Sequence, residues 1–179
     1  MGKLTEEEIA ACEYLNAGCG TVRYDGCVNM DVSDNNAFVD IDIVGSVLDI
    51  PFPAERFKGV IFSHVLEHLP RNKHKRAILE IRRVLKPEGT VYIEVPDLLA
   101  ACQFYVENNT GRRDYWYQCI YGRNEYGSDQ HLSGLTEVDL TDLLFDCGFG
   151  KLEWLDLDKG QALLAVKAYK LAELPGNRL

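Results

Sequence analysis

Short apolar runs separated by polar, turn-rich stretches set the pattern of this chain. Residues 14–17 (YLNA) and 27–32 (CVNMDV) read as two short buried strands, and residues 37–43 contain a third, where VDIDI alternates with a period of two. Residues 59–63 (GVIFS) are nearly all apolar, as expected in the middle of a parallel sheet. Residues 90–95 (TVYIEV) form another run, closed by Pro96. Between these two runs, Ala77, Ile78, Ile81, Val84 and Leu85 follow helical spacing over residues 72–86, ended by Pro87 and Gly89. Thr5 and Glu8 form a capping box for a short helix reaching about residue 12, and Thr136 with Asp139 caps a second that Gly148 stops. Residues 98–107 are predicted helical, and residues 108–134 irregular, aromatic and glycine-containing. Residues 151–157 and 162–169 read as strands joined by Asp158-Lys159-Gly160, a hairpin signal. Strands alternating with helices imply an α/β fold with a parallel sheet that ends in an antiparallel hairpin.

Composition narrows this picture. A chain of 179 residues with 46% hydrophobic and 26% charged content is read as a single globular domain over residues 1–179. A net charge of −9 argues against binding a polyanion through the general field of the protein. No apolar run approaches the roughly 18 residues of a membrane span, and the N-terminus is polar and acidic. The six cysteines show no C-x-x-C pair and no Cys/His spacing suited to zinc. They are expected to be free thiols in a cytoplasmic protein, and no metal ligands are assigned.

The stretch from Asn16 to Asp31 carries the first chemistry. Gly18 and Gly20 follow the first strand at its carboxyl end, where a missing Cβ lets a ligand approach the backbone. Asp31 ends the second strand, where a carboxylate can accept two ribose hydroxyls. A dinucleotide fold would require a third glycine, a helix for the pyrophosphate and an acid roughly 20 residues on. Here Arg23 stands in the third position and the acid follows Gly20 by eleven residues. A ligand without a pyrophosphate fits better.

At this point the sequence resembles the class I S-adenosylmethionine-dependent methyltransferases, in particular small members with an LNxGCG first motif. The resemblance rests on LNAGCG (15–20), VNMDV (28–32), VGSVLDIPFP (44–53), FSHVLEHLP (62–70), EIRRVLKPEGTVYIEVPDL (80–98) and LTEVDLTDLLFDCGF (135–149). It implies a Rossmann-like three-layer sandwich with a seven-stranded, mostly parallel sheet and a shortened first crossover. It also implies that S-adenosylmethionine binds with Asn16, Gly18 and Gly20 around its methionine portion, leaving S-adenosylhomocysteine as product. Asp31 would take the ribose and Val32 lie beside the adenine. Ser46 and Val47 would border the adenine edge, with Asp49 a further acceptor there, and Ser63 and His64 would flank the sulfonium. Three positions depart from the wider superfamily: Asn16 for an acid, Ser46 for an Asp, and Lys58 for the Asp that opens the fourth strand.

A sulfonium is already an activated methyl donor, so the protein must chiefly position a nucleophile, with a base helping for some acceptors. His131 and His64 are the candidate catalytic residues. His68 is read as a structural hydrogen bonder and His74 as a solvated member of the basic run 71–76. Residues 107–134 are expected to cover the substrate, with Tyr121, Tyr126 and Arg123 as substrate contacts, and most of the other aromatics forming the segment's own small core. The basic run falls mostly on the outer face of a helix, a solvated face rather than a nucleic-acid patch. The expected activity is therefore methyl transfer to oxygen or nitrogen of a small molecule, such as a sugar or another metabolite. No nucleic-acid or membrane partner is expected, although a second copy of the chain could complete the site. The alternative is a partner protein that keeps the fold without catalysis.

Overall fold

The computed structural model describes residues 2–33, 40–107, 111–125, 129–157 and 159–173. Its strands are β1 (Tyr14–Ala17), β2 (Cys27–Asp31), β3 (Ile43–Val44), β4 (Phe57–Ser63), β5 (Leu85–Pro96), β6 (Phe149–Trp154) and β7 (Leu163–Lys170). They form one sheet in the order β3-β2-β1-β4-β5-β7-β6. β1 to β5 are parallel, while β7 runs antiparallel between β5 and β6. The order reverses between β1 and β4, so the connections after these two strands diverge and open a crevice at their carboxyl ends.

The helices are α1 (Glu6–Ala11), α2 (Arg71–Val84), α3 (Leu98–Glu107), α4 (Arg113–Tyr121) and α5 (Glu137–Asp146). The two faces of the sheet are covered unequally. Leu15, Val28, Met30, Val60, Phe62, Val91 and Ile93 share one face. They are buried in one core with Ile78 and Ile81 of α2 and Leu140 and Leu144 of α5. On the other face Tyr14, at 48% exposure, and the partly exposed Ile61, Tyr92 and Tyr169 alternate with them. That alternation is the mark of a half-covered surface.

The cause is the first crossover. Residues 18–26 join two parallel neighbours without a helix, shorter than the dozen or more residues such a connection normally takes. A buried polar clasp holds the loop instead. Asn16 Nδ2 donates to Val22 O at 2.8 Å and to Asn29 Oδ1 at 3.0 Å. Asn29 Oδ1 also accepts from Tyr24 N at 2.9 Å, and Asn29 Nδ2 donates to Tyr24 O and to Asp42 Oδ2. Arg23 closes the ring with an ion pair to Asp42 at 2.8 Å. The expected seven-stranded sheet, hairpin ending and shortened crossover are all present.

Several local expectations change. The helix predicted over residues 72–86 spans Arg71–Val84, because Leu85 already pairs with Phe57 in the sheet and Pro87 forces its neighbour out of helical geometry. The third strand is only Ile43–Val44; its predicted start at 37–39 lies outside the described residues. β4 begins two residues early, β6 runs Phe149–Trp154 rather than 151–157, and β7 runs Leu163–Lys170. The stretch read as irregular contains helix α4, whose Trp116 packs with Ala101, Phe104 and Tyr115 in a second small core. His74 is not solvated: it is 4% exposed, with Nε2 beside Leu69 O and Ser133 Oγ.

Arg71, Lys73, Lys75 and Arg76 lie on the exposed face of α2, as expected, while some basic residues of the helix also brace the fold. Arg83 pairs with Glu80 and donates to the carbonyls of Ile50 and Phe52, and Arg76 donates to Leu48 O. All six cysteines are free thiols. Among the described residues no helix is long and apolar enough to cross a membrane.

Candidate functional site

A cavity of about 190 Å³ opens at the carboxyl ends of β1 and β4, lined by Asn16, Gly18, Cys19, Gly20, Thr21, Val22, Tyr24, Ser63 and His64. The chain turns there because the amides of Gly18 and Cys19 both donate to Met30 O, at 2.8 and 2.9 Å. Gly18 and Gly20 have φ of +78° and +51°, a region that side chains with a Cβ disfavour. At Gly18 a Cβ would meet Val65 Cγ2 at 2.5 Å, whereas at Gly20 it would meet nothing within 4 Å. Gly18 is therefore needed for the approach of the β4 loop, and Gly20 for the turn itself.

Asp31 faces this loop across the strand ends. Its Oδ2 accepts from Gly20 N at 2.7 Å and its Oδ1 from Val32 N at 2.7 Å. Each carboxylate oxygen keeps a second lone pair, so the group can hold the loop and still accept two hydroxyls. Asn16 commits its amide hydrogens to the clasp and also lines the cavity. Cys19 is not a nucleophile in waiting: burial, with the nearby Asp31 charge, pushes its thiol up to about 11.

Asp31 reaches the cavity only through its bond to Gly20, and it and the other expected cofactor residues, Val32, Ser46, Val47 and Asp49, fall outside the cavity lining. Val32 is 70% exposed beside Asp31. Ser46 Oγ accepts from Leu48 N at 3.1 Å within its own turn, Val47 is buried in the main core, and Asp49 is exposed.

Opposite the glycine loop, His64 follows the last residue of β4 and is held at φ +54°. Its Nδ1 lies 3.0 Å from Glu67 Oε1 and its Nε2 3.0 Å from Glu94 Oε1. The bond to Glu67 raises its pKa against burial, and Glu94 adds to the rise. With both ring nitrogens engaged by carboxylates, His64 forms a fixed polar wall of the cavity. Glu94 also accepts from the Tyr92 hydroxyl, and burial and that bond hold the phenol protonated.

His131 sits one shell further out. Its Nδ1 lies 3.0 Å from Cys119 O, and burial lowers its pKa, favouring the neutral ring. His68 Nδ1 lies 3.0 Å from Gln130 O, and the two imidazoles meet edge to face at 5.0 Å. Tyr121 is exposed and packs, tilted by 42°, against Tyr117 at 4.8 Å, while its backbone carbonyl accepts from His131 N. Arg123 is exposed and pairs with Asp129 at 3.4 Å. Tyr126 lies outside the described residues. Lys58, in the slot of the superfamily Asp, pairs with Glu13 at 2.7 Å.

Sequence reasoning missed Glu67, Glu94, Asn29 and Asp42. The first two lie inside the quoted motifs, but only the turn after β4 and the β4–β5 register bring them to His64.

Known proteins share this fold and part of this sequence. The family described as a methyltransferase domain matches residues 9–93. An uncharacterised methyltransferase of Schizosaccharomyces pombe is 39% identical over 61 residues, which are 34% of this chain and only 21% of that protein. A SAM-dependent methyltransferase from Methanosarcina mazei aligns over 96% of this chain and 100% of its own, with TM-score 0.63 and 17% identity. The Burkholderia thailandensis 1,6-didemethyltoxoflavin-N1-methyltransferase aligns over 88% of this chain and 70% of its own, with TM-score 0.59 and 16% identity. Residues 9–93 thus match the methyltransferase-domain family, and the chain as a whole carries the fold of solved S-adenosylmethionine-dependent methyltransferases.

Proposed function

We propose that this chain transfers the methyl group of S-adenosylmethionine to an oxygen or nitrogen of a small-molecule acceptor. The observation that carries this reading is the Gly18–Gly20 turn at the β1–β4 switch point, which is bonded to Asp31 at the end of β2 and shares its cavity with Ser63 and His64. The residues fit the cofactor: Asp31 would accept its ribose hydroxyls, the turn would pack its amino-acid portion, and His64 would border its sulfonium. When bound, the cofactor supplies an electrophilic methyl group. The chain's part is to hold an acceptor lone pair in line with it and let the acceptor proton leave. The Burkholderia thailandensis enzyme holds S-adenosylhomocysteine and a small-molecule acceptor, which supports a small acceptor here too. His131, Tyr121 and Arg123 lie on the segment that would cover it.

Calorimetric titration with S-adenosylmethionine and S-adenosylhomocysteine, with NAD as control, tests the reading. Saturable binding of both sulfur ligands is expected. Asp31→Ala should weaken it about 10- to 150-fold, because a hydrogen bond to a charged group contributes about 1.5–3 kcal/mol. Asp31→Asn, which keeps an acceptor, should lose less. Folded wild-type chain that binds neither ligand at millimolar concentration would refute the enzyme and favour a partner protein of the same fold.

A further inference from the structure

Glu67 is 1% exposed, and the two oxygens of its carboxylate are treated differently. Oε1 meets His64 Nδ1 at 3.0 Å, whereas Oε2 is buried without a hydrogen-bond partner. A buried carboxylate oxygen in that state is costly unless a cation or donor meets it. Two imidazoles stand beside it. One ligand atom each from Glu67, His68 and His131 lies within 4.8 Å of the other two.

The outer contacts of the histidines make this more than proximity. His68 Nδ1 faces Gln130 O and His131 Nδ1 faces Cys119 O, each at 3.0 Å. A carbonyl can only accept, so both Nδ1 atoms carry the hydrogen and Nε2 of each ring carries the lone pair. Metal-bound histidines are oriented by this kind of outer hydrogen bond. The backbone holds the two halves together: the amides of Leu132 and Ser133 both donate to Glu67 O, at 2.7 and 3.2 Å.

We infer that Glu67, His68 and His131 form a binding site for a divalent transition-metal ion of the zinc type. Two imidazole nitrogens and one carboxylate oxygen suit zinc, cobalt or manganese better than magnesium, which prefers an all-oxygen shell. Three protein ligands leave coordination positions open to water or to a donor atom of another molecule. His64 lines the cavity and bonds Glu67, so the ion lies one side chain from it, on the side of the covering segment. An acceptor oxygen could bind there; that last step rests on the methyltransferase reading, whereas the site itself does not.

The test uses the full chain, stripped with chelator, without S-adenosylmethionine. It is titrated with ZnCl2 and MnCl2 by calorimetry and with CoCl2 by visible absorption, MgCl2 serving as contrast. One zinc or cobalt ion per chain is expected, with a cobalt ligand-field band and much weaker magnesium binding. His68→Ala and His131→Ala should each lose roughly 100-fold or more in affinity, beyond the loss typical of an outer-shell change. Glu67→Gln preserves shape while removing the charge, and should lose at least about tenfold. It decides the matter if a histidine variant fails to fold, as checked by circular dichroism. Absence of saturable zinc or cobalt binding at millimolar ion overturns the site, as does unchanged affinity in folded Glu67→Gln. S-adenosylmethionine binding is measured separately, so either claim can fail alone.

Discussion

Asn29→Ala tests whether a polar clasp replaces the helix of the first crossover. Asn29 is wholly buried in β2, and its side chain contacts Asn16, Asp42 and both backbone groups of Tyr24. Truncation leaves an Asn16 N–H unpaired in a buried place and removes one donor from the Asp42 carboxylate. Tyr24 N–H lies nearer the surface, where water can reach it. Each buried group left unsatisfied costs about 1–3 kcal/mol, so the variant should lose about 2–5 kcal/mol. For a domain of this size that lowers Tm by about 4–20 °C. Urea denaturation followed by circular dichroism measures the loss, and Asn72→Ala on the exposed face of α2 should change stability by no more than about 0.5 kcal/mol. S-adenosylmethionine affinity should fall as well, because Val22 and Tyr24 of the freed loop line the cavity. A loss below about 0.5 kcal/mol at unchanged m-value would refute the argument.

The same clasp predicts an acid limit. Burial alone would raise the Asp42 pKa, but hydrogen bonds from the amides of Leu4 and Asn29, with the Arg23 guanidinium, outweigh it and hold the group below the usual carboxylate value. Its contribution is therefore complete above the unfolded carboxylate pKa and lost as pH falls through the lower folded value. Melting followed from pH 6 down to about pH 3 should show this loss, flattened in Arg23→Met; an equal slope in the variant would count against it. Gly122→Ala should displace the segment carrying His131, since Gly122 has φ +80° and a Cβ there would meet Asp129 O at 2.0 Å. The expected result is weaker zinc binding with S-adenosylmethionine affinity unchanged. Native thiol labelling should modify the exposed Cys102 first. Cys147, wholly buried and pushed up to about 11 by burial, should react only on unfolding.

Local signals determined much of this protein. The all-apolar run GVIFS, the helical spacing from Ala77 to Val84 and the two capping boxes depend on near neighbours. The capping boxes of α1 and α5 and the core faces of β4 and α2 appear where those signals place them. The glycine turn and Asp31 were readable for the same reason, since eleven residues of chain must bring them together at adjacent strand ends. Helix α4 escaped notice although Tyr115, Trp116, Cys119 and Ile120 have helical spacing. Its aromatic and glycine-flanked setting resembles a loop, and its apolar face packs on α3 and Ala162, which are distant in sequence or follow no local signal.

Tertiary structure decided what distant residues share. Nothing in the run RNKHKR distinguishes His74 from its charged neighbours; the helix register turns it inward to Ser133, 59 residues away. His64 is a catalytic candidate from its place in the chain, but the β4–β5 register sets Glu94 against it and the following turn sets Glu67 there. His68 and His131 stand 63 residues apart in the chain, so no ligand-spacing motif could pair them. They meet because the backbone of residues 132 and 133 is anchored on Glu67 O. Short-range patterns determine which elements form, because propensity and burial act along the chain. The protonation of an imidazole or the environment of a carboxylate depends on what the sheet and its connections bring within about 3 Å, the reach of a hydrogen bond.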